Sequence, residues 1–230
     1  MTHGLGFQVT SKQPNLVLDP MSSFAWPAQF CVSGTDTDVG KTVVSALLSL
    51  GLKASYWKPI QSGTQPCTDT DYVRQVTQLP DDHFWPERFR LSQPLSPHAA
   101  AAIDGVSLHL QDFSLPPVGD RPLIVEGAGG LLVPLNDRHY ILDLIRHLDL
   151  PVCLVARSGL GTLNHTLLSL AQLRRSQVPI LGVVLNGPKN PSNRQAIEHY
   201  GQVPILGELE PLAAVNPTSL KAAFDRLGSP

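Results

Sequence analysis

Residues 30 to 42, FCVSGTDTDVGKT, place a lysine and a hydroxyl directly behind a glycine-bounded loop. The chemistry that fits is the holding of phosphate. Small residues let successive backbone N–H groups turn inward around an anion, a helix N-terminus adds positive potential, and Lys41 supplies a mobile charge. Thr42 would then offer its hydroxyl to Mg²⁺. The ordinary phosphate-loop pattern has four residues between its first glycine and Gly-Lys-Thr. Here five separate Gly34 from Gly40, and Thr35 stands where that glycine is expected. Context carries the reading across this irregularity: Phe30-Cys31-Val32 is strand-like before the loop, and Val43-Val44-Ser45-Ala46-Leu47-Leu48 is helix-like after it.

Other candidate groups stand at the ends of apolar runs. Ala54-Ser55-Tyr56-Trp57 reads as a strand that delivers Lys58-Pro59-Ile60-Gln61-Ser62-Gly63. In open α/β sheets ligands sit outside the carboxyl ends of strands, so Lys58 points to the same crevice as Lys41. Taken alone, a lysine beside a proline is an ordinary solvated charge. Asp69 and Asp71 stand at the head of a helix expected over 71 to 78 and are both candidate Mg²⁺ ligands; capping by Asp69 or Thr70 is the alternative use. Pro122 to Val125 reads as a buried strand ending at Glu126, a carboxylate able to hold the metal or its water, with a plain turn role as the alternative. Gly127, Ala128 and Gly129 follow, where backbone can approach a ligand closely. Gly159 to Thr162 opens a helix whose free N–H groups suit a second anion, and Asn186 closes a strand where it can read a base or ribose. His98 could cap, pack or line a site.

Such groups need a scaffold that sends several strands to one edge. Strand and helix alternate over 151–156 and 163–175, over 180–185 and 193–200, and over 205–206 and 219–227. This implies a single α/β domain over 29 to 230, built on a doubly wound, mostly parallel sheet of the P-loop NTPase type. Residues 79 to 120 read as irregular and proline-rich, apart from a short helix over 99 to 103. Residues 1 to 28 lack periodicity and read as a poorly ordered extension in which Phe24 and Trp26 pack on the domain. A net charge of −2 carries no electrostatic footprint for nucleic acid or an anionic membrane, so a small-molecule partner is expected. The three cysteines match no zinc spacing, and no apolar run reaches the length of a membrane span. The expected compartment is the cytoplasm.

The motifs together resemble the dethiobiotin synthetase family of biotin biosynthesis. GTDTDVGKT at 34 to 42 resembles that family's variant phosphate loop, longer spacing included; KPIQSG at 58 to 63 and VEGAGG at 125 to 130 resemble its next two signatures. SPH at 96 to 98, GLGTLNH at 159 to 165 and the Asn186 strand end fall in the expected order, so the resemblance covers about residues 29 to 227. It implies a homodimer, Mg²⁺, and ATP, CO₂ and 7,8-diaminononanoate (7,8-diaminopelargonate) as substrates of a cyclo-ligase that makes a cyclic urea through a carbamate and its mixed anhydride with phosphate.

The resemblance also implies roles. Lys41 and Lys58 act in catalysis, Lys58 by bridging carbamate and γ-phosphate. ATP is held by Asp38, Val39, Gly40, Lys41, Thr42 and Val43, by Asp71 and Glu126, by Gly127, Ala128 and Gly129, and by Asn186. Thr42, Asp71 and Glu126 hold the metal, alignment to the following helix favouring Asp71 over Asp69. Ser62 contacts the diamine. Its distant carboxylate is met by Gly161, Thr162, Leu163 and Asn164 of the partner subunit, which makes the active site a shared one. Glu210, Pro211 and Leu212 stand where the family often carries a proline and an aromatic residue near the adenine, a departure from the pattern. The rival class is a partitioning or septum-positioning switch ATPase. Those proteins carry an early loop lysine where this chain has Asp36, and they offer a basic surface.

Overall fold

The structure is a computed structural model that describes residues 24–117 and 119–227. In chain order its elements are β1 (Gln29–Gly34), α1 (Lys41–Leu52), β2 (Ser55–Trp57), β3 (Ile60–Ser62), α2 (Asp69–Thr77), β4 (Phe84–Trp85), β5 (Phe89–Leu91) and α3 (Pro97–Asp104). There follow β6 (Leu123–Gly130), α4 (Ile141–His147), β7 (Val152–Arg157), α5 (Thr162–Arg175), β8 (Ile180–Asn186), α6 (Pro191–Gly201), β9 (Ile205–Leu209) and α7 (Pro217–Phe224). Seven strands form one sheet in the order β4-β2-β6-β1-β7-β8-β9, every pairing parallel. The doubly wound parallel architecture expected from the sequence is therefore present. β1 sits at its centre, so the phosphate loop leaves the sheet where chain direction diverges to β6 on one side and β7 on the other.

Helices cover both faces, which is why the strands read as unbroken apolar runs. Successive side chains alternate. Phe30, Val32, Tyr56, Ile124, Cys153 and Val155 face α1, α2 and α7, while Cys31, Trp57, Leu123, Val125 and Leu154 face the layer of α3, α4, α5 and α6. Phe30, Ile124 and Leu154 are fully buried, each worth about 1.5–3 kcal/mol of transfer free energy.

Local chemistry sets the helix ends. α3, α6 and α7 each begin on a proline in the first turn, Pro97, Pro191 and Pro217, whose missing N–H costs nothing there. The sequence reading started these three helices two residues late because it treated each proline as a boundary. The stretch 79 to 120, expected to be irregular, also holds β4 and β5, and α4 was not foreseen. β5 pairs in parallel with β3, Ile60 opposite Phe89 and Ser62 opposite Leu91, so the KPIQSG segment is held as a small second sheet. Residues 1–23 of the expected extension lie outside the described residues. Phe24 and Trp26 do pack on the domain: their ring centroids are 5.0 Å apart, and Trp26 lies 4.9 Å from Phe30. Among the described residues no helix is long and apolar enough to cross a membrane.

Candidate active site

The phosphate loop runs from the end of β1 to the start of α1, and two glycines are required in it. A Cβ on Gly34 would lie 2.8 Å from the Asp36 carbonyl oxygen and 3.0 Å from Lys41 Nζ. Gly40 has φ 92°, and a Cβ there would lie 2.0 Å from Asn186 Nδ2. Val39 is buried and anchors the loop, Asp38 is exposed at its tip with φ 57°, and Val43 is half-buried in the first turn of α1. Lys41 Nζ donates to the Asp36 carbonyl at 2.9 Å, folding the lysine back across the loop. Burial first, and then the charge of Lys58, lower its pKa. Asn186 Nδ2 donates to the Val39 carbonyl at 3.0 Å, so this side chain, expected to read a base or ribose, also braces the loop. Arg157, at the end of β7, pairs with Asp36 at 2.9 Å.

Beside the loop lies a buried charged centre. Glu126 Oε1 accepts from Thr42 Oγ1 and from Lys58 Nζ, each at 2.9 Å, and Oε2 accepts from the Tyr56 hydroxyl at 3.0 Å. Lys58 Nζ also lies 2.6 Å from Asp69 Oδ2 and donates to the Gly127 carbonyl at 3.1 Å. Lys58 is 4% exposed and Glu126 1%, which rules out a solvated loop lysine and a turn carboxylate. Burial alone would lower the Lys58 pKa, but Glu126 and Asp69 outweigh it and hold the ammonium above its ordinary value. Lys58 is shared between two carboxylates, and Lys41 lies near enough to interact with all three charges. The donors beside it, the Thr42 hydroxyl and the Asp69 and Glu126 carboxylates, are hard oxygens of the kind Mg²⁺ takes while keeping several waters.

The geometry gives the two aspartates different surroundings. α2 begins at Asp69, with Thr68 as its N-cap. Asp71 occupies the third position of a capping box: its carboxylate accepts from Thr68 N at 3.1 Å and Thr68 Oγ1 at 2.7 Å, and it lies 3.4 Å from Arg74. Those hydrogen bonds from Thr68 lower its pKa. Asp71 is thus spent on the helix start and is not brought to Thr42 and Glu126, whereas Asp69 is turned to Lys58. Gln61, buried beside Asp69, holds the backbone at that point. Its Oε1 accepts from Asp69 N at 3.0 Å and its Nε2 donates to the Gly63 carbonyl at 2.8 Å. Neighbouring Ser62 has a buried hydroxyl with no hydrogen-bond partner among the described residues.

Comparison with known proteins identifies relatives of this chain. The family model described as an AAA domain matches residues 28–219. The ATP-dependent dethiobiotin synthetase of Paramagnetospirillum magneticum is 52% identical over 189 residues, covering 82% of this chain and 91% of that one. The synthetase of the same name from Afipia carboxidovorans is 46% identical over 193 residues, covering 84% and 92%. The chain belongs to the ATP-dependent dethiobiotin synthetase family. Among solved structures, a Borrelia burgdorferi chain described as a plasmid partition protein bound to AMPPNP superposes with a TM-score of 0.52, over 87% of this chain and 95% of that one. At 12% identity that likeness concerns the fold alone.

Within this family fold the remaining expected residues divide between core and surface. β6 does not stop at Glu126 but runs through Gly127, Ala128 and Gly129 to Gly130, which pairs with Gly34 after a register shift beyond Val32. Gly161 caps α5 with φ 90°, and Asn164 is exposed on its first turn. Thr162, in contrast, is 1% exposed, its hydroxyl 3.3 Å from that of Thr166 and its N–H donated to the Gly159 carbonyl, so its side chain serves the core. Leu163 is half-buried against the same core. Glu210 and Pro211 are exposed beyond β9, Glu210 pairing with Lys189 at 3.4 Å, and Leu212 packs beneath α1. His98 is exposed beside Ser96, its Nδ1 2.9 Å from Ser96 Oγ. Sequence reasoning missed Gln61 and Tyr56 as members of the site. For Gln61 the available signal was its place inside the KPIQSG segment.

Proposed function

We propose that this chain is an ATP-dependent ligase that closes the ureido ring of dethiobiotin from 7,8-diaminononanoate and CO₂. The observation that carries the reading is the network in which Lys58 joins Glu126 and Asp69 beside a phosphate loop. One amine nitrogen of the diamine bonds to the carbon of CO₂ and loses a proton, giving a carbamate. The carbamate oxygen bonds to the γ-phosphorus as the bond to ADP breaks. The second amine then bonds to the carbonyl carbon, phosphate departs, and a proton is lost as the urea forms.

Each approach in this sequence brings anions together, and catalysis of phosphoryl transfer is chiefly positioning and charge stabilisation. Lys41 and the loop N–H groups hold the phosphates. Lys58, kept charged by its two carboxylates, turns to the carbamate and γ-phosphate and stabilises the charge shared between them. Ser62, with its unpartnered hydroxyl, orients the diamine. Thr42, Asp69 and Glu126 would hold Mg²⁺, which supplies charge neutralisation at the phosphates. Its fit rests on the hard oxygen donors that the centre brings together.

The working unit in this reading is residues 29 to 230, a cytoplasmic homodimer. In support, Leu160 is fully exposed just before α5 and Leu168 is 62% exposed midway along it, where a second subunit would cover them. There Gly161 and Asn164 would receive the substrate carboxylate of the partner's site at the positive end of the helix. The test is incubation of purified protein with the diamine, ATP, Mg²⁺ and labelled bicarbonate. Labelled dethiobiotin should form in step with ADP, and Lys41→Ala should abolish both. ATP hydrolysis that ignores the diamine would instead favour a nucleotide switch.

A further inference from the structure

We propose that Tyr56 is a positioning residue of the reaction centre: its phenol fixes one oxygen of Glu126 so that the other stays aimed at Thr42, Lys58 and the bound cation. The inference rests on the assignment of Glu126 to that cation. β2 and β6 are parallel neighbours, with Tyr56 opposite Ile124 and Trp57 opposite Val125. Alternation along the strands sends Tyr56, Ile124 and Glu126 to the same side of the sheet, beneath α1. From there the phenol reaches one step along β6 and donates to Glu126 Oε2 at 3.0 Å.

The donor is itself immobile. Tyr56 is 0% exposed, and its ring packs edge-on to Phe84 with centroids 6.3 Å apart. The partners of Glu126 are divided accordingly: the phenol has Oε2, while the Thr42 hydroxyl and the Lys58 ammonium share Oε1. A carboxylate held less firmly turns easily about its terminal bond, because that torsion is broad and two-fold. Fixing Oε2 prevents the two oxygens from exchanging. It also leaves Glu126 one permanent partner when Lys58 turns away to the carbamate and γ-phosphate.

Tyr56→Phe keeps the ring and deletes only the donor. Mn²⁺ affinity of the protein bound to a non-hydrolysable ATP analogue, read by electron paramagnetic resonance, is expected to fall roughly 10-fold, as for loss of other groups that orient a metal ligand. Affinity for the analogue without metal should not change. The effect should disappear in a Glu126→Gln background, because the phenol acts through that carboxylate. In Tyr56→Phe the carboxylate keeps the Thr42 hydroxyl and the Lys58 ammonium as partners, so the fold should survive, as circular dichroism of each variant would show. Wild-type Mn²⁺ affinity in Tyr56→Phe, or an equal loss with and without Glu126, would overturn the proposal. A Glu126→Gln protein that binds Mn²⁺ as tightly as wild type would instead overturn the underlying metal assignment.

Discussion

Two regions along the sheet's carboxyl edge, one on each side of β1, are finished to different degrees. At the ends of β2 and β6, Lys58, Glu126 and Asp69 find their partners inside one chain and are largely withdrawn from water. Around the start of α5 the chain presents Leu160 and Asn164 to solvent. Under the proposed function the contrast follows from what each place would have to do. Charge stabilisation works through groups aligned before the reaction in a water-poor site, so the folding of one chain completes that region. Recognition of a distant substrate carboxylate needs only a helix mouth and a covering surface, which a second copy can supply.

The sharpest way to break the comparison is inside the closed region, at the aspartates. Asp69→Asn should weaken the Mg²⁺ dependence of turnover by on the order of 10–100-fold. Asp71→Ala should leave it unchanged and cost about 1 kcal/mol of stability or less as a lost cap, seen in urea unfolding. Since Thr68 holds the Asp71 carboxyl below its ordinary 3.8, that contribution is complete above that pH and fades as pH falls through the lowered value. Equal effects of the two variants on Mg²⁺ dependence would show that α2 does not separate their roles.

A smaller effect probes the open region. Lys41→Ala and Asn164→Glu should each be inactive alone. After subunit exchange, each heterodimer has one site with both defects and one with neither, and should recover about half of wild-type activity. No recovery despite proven exchange would mean that each chain holds a whole site. Thr162 is unsuitable for this test because a charge there would enter the core. The smallest expected effect is at the N-terminus. Deleting residues 1 to 23 should leave the melting temperature unchanged, whereas deleting 1 to 27 removes Phe24 and Trp26 and should cost roughly 1–2 kcal/mol without loss of turnover at 25 °C. Equal stability of the two truncations would show that this aromatic packing contributes nothing.

What the sequence disclosed, and what it did not, follows from the range of the interactions. Lys58 and Glu126 were legible because each stands where an apolar run ends, and strand ends in a parallel sheet share one edge; Lys41 and Thr42 were legible because they close a glycine-bounded loop at a helix start. Asp69 and Asp71 were not, because two residues at a helix start point in very different directions and only the Thr68 cap fixes which faces Lys58. β4 and β5 were hidden by their length, two and three residues, since such strands exist only through their neighbours. Tyr56 looked like strand filling. Its bond to Glu126 depends on the register of β2 against β6, which no local pattern reports. The start of α5 was legible as an anion-binding helix mouth, but the homodimer and the assignment of that mouth to the substrate carboxylate of a partner's site came from family resemblance alone.

The central claim is that Lys58 serves the transfer of the phosphoryl group and not the binding of nucleotide. It is tested by Lys58→Gln with two readouts on the same preparation: dethiobiotin formation, and affinity for an ATP analogue. The account predicts a fall in turnover of roughly 10²–10³, the scale for deleting one charge-stabilising donor, with affinity nearly unchanged. A loss of nucleotide affinity that matches the loss of turnover would contradict it.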